Sequence, residues 1–302
     1  HKEKNANILV LITHHTKNYS FIEESIFTSM LPFENTSPIT LEKHCNYYKL
    51  LEDVVKEIKQ DIIDMNRDPS EERKKQLLTQ DRLERKINQN TDEESDFDVN
   101  EKTVPFLQAF RSIEIVGQII KNRKGSLEKA TLKEMLIEQY NTGFRTISYL
   151  GMMIKEIKDE LALKIEEKIS KKDTNQDIER KIYKFLQFIS LQACLGVFSK
   201  FIHSVGVKEL REMYSEVAKE MDTPAAKIVS FSINSYYGKI NMKELEQLSK
   251  EFKDNMVALQ ILRSRVKAYI YNNYVDYRDK QKIAAYLNMK TSPALGRKDR
   301  GY

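Results

Sequence analysis

The chain has 302 residues, of which 40% are apolar and 31% charged, and only 9 glycines and 6 prolines, so it can bury a core and is not a disordered or an all-β protein. Fifty basic and 45 acidic residues leave a net charge of +5, far from the dense basic surface of a dedicated nucleic-acid binder. The two cysteines, Cys45 and Cys194, have no CxxC or His/Cys cluster around them, which excludes a disulfide framework and a zinc motif and fits two packed thiols in a reducing cytoplasm.

The first element is a short apolar run, Ile8 to Thr13, bounded by Asn7 and His14, the pattern of a strand buried on both faces. Ser20 and Glu23 form a capping-box signature before Ile22, Ile26 and Met30, so a helix follows. The first residue is His rather than Met, which points to a start inside a longer chain. No charged leader with an apolar centre opens it, and no apolar stretch reaches the ~20 residues of a membrane span, so the expectation is a cytoplasmic protein without a membrane partner. "LPFENTSPIT", residues 31 to 40, reads as an ordered loop leading out of this strand-helix unit.

From Asn46 the pattern turns helical. Tyr47, Leu50, Leu51, Val54, Val55, Ile58, Ile62 and Met65 recur at threes and fours, the stripe of an amphipathic helix, and a charged helix follows from Ser70 to Ile87. Residues 88–102 carry six acids (Asp92, Glu93, Glu94, Asp96, Asp98, Glu101) among polar residues and read as a linker. Beyond it, helices are expected over 104–121, 126–141, a long stretch after Gly143, 178–205, 207–221, 224–237, 242–253, 255–274 and 277–288. Thr223 and Pro224 suit an N-cap and a first helical residue.

The expected fold class is therefore mainly α, a multi-helix array or bundle with a short N-terminal strand-helix α/β remnant. The expected division is a remnant over 1–45, a helical pair over 46–87, an acidic linker over 88–102, a helical domain over 103–289 and a basic flexible tail over 290–302.

Few residues carry chemistry. His14 and His15 are adjacent, point to opposite sides of an extended segment and cannot easily chelate one metal. Ligands of open α/β sheets gather at the carboxyl ends of the strands, so Thr13 and His14 stand where a phosphate could be touched, against the alternative of a polar turn with no ligand. No G-x-x-x-x-G-K-[ST] loop occurs in the 302 residues, so phosphate chemistry cannot be completed by this chain alone. Cys194 and His203 lie on one expected helix and read as core or helix-end residues rather than a nucleophile and base. Glu93 and Glu94 sit in the linker, where no environment tunes a catalytic pKa. Tyr269, Tyr271, Tyr274 and Tyr277 beside Lys267, Arg278, Lys280 and Lys282 could stack on single-stranded nucleic acid, though helix packing with solvated cations is the commoner cause of such a pattern. "KNRKGSLEK" is a basic helix junction. No catalytic constellation emerges, and whether the chain belongs to an enzyme stays open.

"ILVLITHHTKN" with "FIEESIF", "PFENTSPITL", "AFRSIEIVGQIIKNRKGSL" and "DYRDKQKIAAYLNM" resemble segments in the C-terminal part of large bacterial STAND-type, NACHT-like P-loop NTPases, from about residue 8 to 290. The resemblance implies a signal-transducing ATPase of antiphage defence that oligomerises with nucleotide bound. It implies that Thr13 and His14 end the nucleotidase sheet where the γ-phosphate of ATP is sensed, and that the helices behind them are the arm after the nucleotidase core. The phosphate loop, the magnesium acids and an effector domain are missing from these residues, so the implied role is a regulatory, sensing and oligomerisation module bound to the rest of a larger chain or to its own copies. The alternatives are a free-standing helical scaffold for a protein partner and, less favoured, a helical nucleic-acid binder.

Overall fold

A computed structural model of the chain describes Phe33, residues 35–45, 48–58, 61–65, 104–168 and 176–292. The expected first strand and helix, the charged helix over 70–87 and the acidic linker lie outside the described residues. Among the described residues the fold is mainly α: nine helices pack against one another, with one pair of two-residue strands.

In chain order these are α1 (Tyr48–Glu57), β1 (Ile62–Ile63), α2 (Val104–Arg123), α3 (Lys129–Lys168), α4 (Gln176–Val205), a 3-10 turn (Lys208–Leu210), α5 (Arg211–Met221), α6 (Pro224–Tyr236), α7 (Met242–Glu251), α8 (Met256–Asn272), α9 (Tyr277–Tyr286) and β2 (Lys290–Thr291). One apolar core runs through the helices: Leu51, Val54 and Val55 of α1 belong to the same buried cluster as Ile113 of α2, Phe144 of α3, Phe198 of α4 and Ile261 of α8. The described part of the expected 46–87 helical pair thus shares its core with the helices beyond the linker.

α3 and α4 pack on each other and on α2. Where α2 crosses α4 the backbones touch, because a Cβ on Gly117 would lie 2.2 Å from the Ser204 carbonyl oxygen. The Lys121 ammonium donates to the neighbouring His203 carbonyl at 2.7 Å, satisfying one of the orphan acceptors at the end of α4. The expected break at Gly143 is absent, and α3 runs through it. A Cβ there would meet the Phe201 ring at 3.2 Å, so glycine at this point admits an aromatic side chain of α4 rather than ending a helix. Tyr140 stands edge-on to the same ring, with centroids 4.9 Å apart.

The stripe from Tyr47 to Met65 predicts one helix, but α1 ends at Glu57 and Ile62–Ile63 form β1. The reason is tertiary. β1 pairs in parallel with β2 in the register Ile62 to Lys290 and Ile63 to Thr291, Lys290 N–H donates to the Asp61 carbonyl and Ser292 N–H to the Ile63 carbonyl. Ile63 faces the core and Ile62 solvent, a period of two replacing the period of three and four. Chain reversal into β2 follows a Schellman-type end of α9, with Asn288 at φ 49° and Met289 N–H donating to the Ala284 carbonyl. The start of the expected flexible tail, Lys290 to Ser292, is consequently engaged in this clasp, while residues 293–302 lie outside the described residues.

The segment Lys184–Val205 is long and apolar enough by composition to cross a bilayer, contrary to the expectation that no such stretch exists. Leu191, Cys194, Val197, Phe198, Phe201, Ile202 and Val205 within it are buried in the core.

Candidate functional site

One concavity among the described residues is built by the extended strap 36–41. Ile39 N–H donates to the Phe144 carbonyl of α3, and the Thr40 carbonyl accepts from Ala225 N–H in the first turn of α6. Leu41 is fully buried at φ 62°, a left-handed conformation unfavourable for a side chain of this size, and its carbonyl accepts from Asn255 Nδ2 at 2.7 Å. That same Asn255 caps α8 by accepting from Ala258 N–H. Such a conformation persists only when its surroundings over-determine it, and three helices do so here.

Between this strap, α1, α3 and Leu186 of α4 lies a cleft of about 940 Å³, at the upper end of the size of small-molecule pockets. Its apolar wall is Ile39, Leu50, Met152, Ile154 and Leu186, and its charged groups are Glu42, His44, Lys49, Asp53 and Lys155. The His44 imidazole lies 3.3 Å from the Glu42 carboxylate, both reaching solvent. Cys45, partly buried, also lines it. Among the described residues no group of three His, Cys, Asp or Glu side chains could hold a metal.

Of the residues singled out in the sequence, Thr13, His14, Glu93 and Glu94 lie outside the described residues. Cys194 is wholly buried, and burial pushes its thiol far above the usual range, so it is a packing residue rather than a thiolate nucleophile. His203 stands at the far end of α4, edge-on to Tyr236 with centroids 4.6 Å apart. Burial, then the nearby Arg265 and Lys121 charges, lower its pKa.

The basic junction "KNRKGSLEK" and the following Lys133 are matched by acids of the 3-10 turn and of α5. Lys124 pairs with Glu209 at 3.0 Å, Lys129 with Glu216 at 2.7 Å, and Lys133 with Glu220. These cations face an acidic row of the same chain at the surface.

The tyrosine-rich stretch is likewise drawn into packing at several points. Lys267 pairs with Asp61 at 2.8 Å. Lys280 is 5% exposed, its ammonium donating to the carbonyls of Asp64 and Met65. Tyr269 accepts from Ile240 N–H. Tyr271, Tyr274 and Tyr277 remain exposed.

Sequence reasoning identified the strap as an ordered loop but missed it as the wall of a cleft. The prolines mark its shape, whereas its partners Phe144, Ala225 and Asn255 lie more than a hundred residues away. Compared with known proteins, the chain matches no family model, no curated protein and no solved structure.

Proposed function

We propose that the chain is the regulatory, sensing and oligomerisation module of a STAND-like signal-transducing NTPase of bacterial antiviral defence, cytoplasmic and not catalytic on its own. The STAND-like part of this reading rests on the sequence resemblance. The observation that carries the module part is the strap. In sequence it follows the stretch containing Thr13 and His14, proposed to face the γ-phosphate of ATP in the longer parent chain, and it is pinned to α3, the start of α6 and the cap of α8. A displacement of the strap would reach α3 and α6 through main-chain hydrogen bonds and the start of α8 through the Asn255 side chain.

The test is turnover by the purified 302-residue chain with ATP and magnesium. No hydrolysis above background is expected, and an enzyme-like rate overturns the reading. The gene upstream of His1 supplies a second check: a G-x-x-x-x-G-K-[ST] sequence supports the NTPase module, and a start codon next to His1 refutes it.

One observation favours the scaffold alternative. Phe185, Phe188 and Ile189 of α4 and Met152 and Ile157 of α3 are 38% to 62% exposed, an apolar surface of the kind that protein partners cover. Under that reading the chain binds a partner protein with no nucleotide involved.

A further inference from the structure

Helix α4 is apolar on more sides than its neighbours cover. Residues 185–199 hold no charged side chain, and Lys184–Val205 has the composition of a membrane span although less than half of it is buried. Leu191, Cys194, Val197 and Phe198 are buried in the core. Positions 185, 188, 189, 192, 196 and 199 recur at threes and fours and so share the opposite side of the helix, where Phe185, Phe188, Ile189, Gln192 and Gly196 are exposed and Ser199 is half-buried. A helix that is apolar all round is one whose whole circumference is covered, and depletion of charge marks the centre of an interface rather than a solvated face.

Side-chain size is graded along this face. Two phenylalanines stand at its N-terminal end, Gly196 and Ser199 at its C-terminal end. A Cβ on Gly196 would meet nothing within 4 Å, whereas Gly117 and Gly143 each lie against another helix of the chain, so Gly196 leaves a notch open to solvent. Phe188 and Gly196 lie four residues, about 6 Å, on either side of Gln192. An antiparallel pair of α4 helices with its two-fold axis at Gln192 therefore sets each Phe188 over the Gly196 of the other copy and brings the two Gln192 amides together, each able to donate to and accept from the other. A parallel pair would set phenylalanine on phenylalanine and leave two notches facing. At the border of the face Lys200 is already neutralised by Glu114.

We propose that this face of α4 is a self-association surface whose occupant is the same face of a second copy of the chain, packed antiparallel with Phe188 in the notch at Gly196 of the other copy. The contact rests on the oligomerisation part of the function proposed above and makes no use of nucleotide. Phe185, Phe188 and Ile189 leave about 300 Å² of apolar surface open per copy, about half of the ~600 Å² per partner at the lower limit of a specific interface, which is the apolar share such interfaces carry. An interface of this size associates in the micromolar range. A bilayer would need the whole circumference of α4, and the core occupies its other side.

The test is sedimentation velocity of the full 302-residue chain, without nucleotide, from low to high micromolar concentration. The expected result is a reversible monomer–dimer equilibrium. Phe188→Ala loosens the dimer about tenfold, the scale of one central anchor, and Gly196→Phe, which enters open space in the monomer and leaves the helix intact, fills the notch and abolishes it. The double variant, with large and small exchanged, restores the dimer, and circular dichroism confirms that each variant is folded. The proposal is overturned if the chain stays monomeric throughout, if the dimer is indifferent to Phe188→Ala and Gly196→Phe, or if the chain instead floats with phosphatidylcholine–phosphatidylglycerol vesicles and the two substitutions release it. A monomeric chain removes this contact alone, whereas the module reading falls by its own measurement, ATP turnover.

Discussion

Helices α3 and α4 are 40 and 30 residues long, whereas α5 to α9 run from 10 to 17 residues, and the two sets are held by different physics. In the short set, four of five helices start on a side chain that caps them: Thr223 accepts from Ala226 N–H, Asn241 from Lys243 and Glu244 N–H, Asn255 from Ala258 N–H and Asp276 from Asp279 N–H. The start of α5 is fixed differently. The Tyr214 hydroxyl donates to the Val205 carbonyl and accepts from Val207 N–H, bracing the turn after α4. In the long set, order comes from side chains and backbones meeting across helices, as at Gly117 against Ser204 and Gly143 against Phe201. Short helices are marginal alone and need their ends closed; long ones need a matched surface along their length.

Mutations probe this difference in order of size. Phe198→Ala empties a fully buried site on α4 and should cost about 4 kcal/mol in urea unfolding. Gly117→Ala should cost about 3 kcal/mol, because its clash is with backbone and α2 must move off α4. If it costs no more than a lost cap, close backbone approach is not what holds the long set. Asn255→Ala removes both the α8 cap and the bond to Leu41 and should cost about 1–2 kcal/mol. A conformational change in the strap, seen as faster proteolysis near Leu41, should accompany it. The smallest effect is one of pH. The folded His203 pKa lies below its ordinary 6.5, so as pH falls through 6.5 the unfolded chain takes up its proton first and stability declines toward the folded value. His203→Gln should flatten that decline between pH 7 and 5, measured as the change in unfolding midpoint.

What the sequence made legible follows the same line. Caps are local, and Thr223 with Pro224 was readable within four residues. The same locality explains why the mainly α class and the run of helices from α2 to α9 were foreseen. Gly143 was misread because a glycine looks alike whether it ends a helix or admits a ring from a helix almost sixty residues later. Ile62 kept the helical period, and only pairing of Ile62 and Ile63 with Lys290 and Thr291 turned this stretch into a strand.

The clasp between residues 61–65 and 290–292 has a consequence for how the chain could be divided. It holds the last described residues against the segment just before residue 66 through two main-chain bonds and the Ser292 hydroxyl accepting from Met65 N–H, while the Asp61 carboxylate ties the same segment to Lys267 and Gln260 of α8. With α1 also seated on α4 and α8, a chain cut anywhere between 66 and 103 would leave two pieces that remain associated. The molecule is in that sense a two-part complex that happens to be joined by peptide bonds, and coexpressed fragments 1–65 and 104–302 should reassemble.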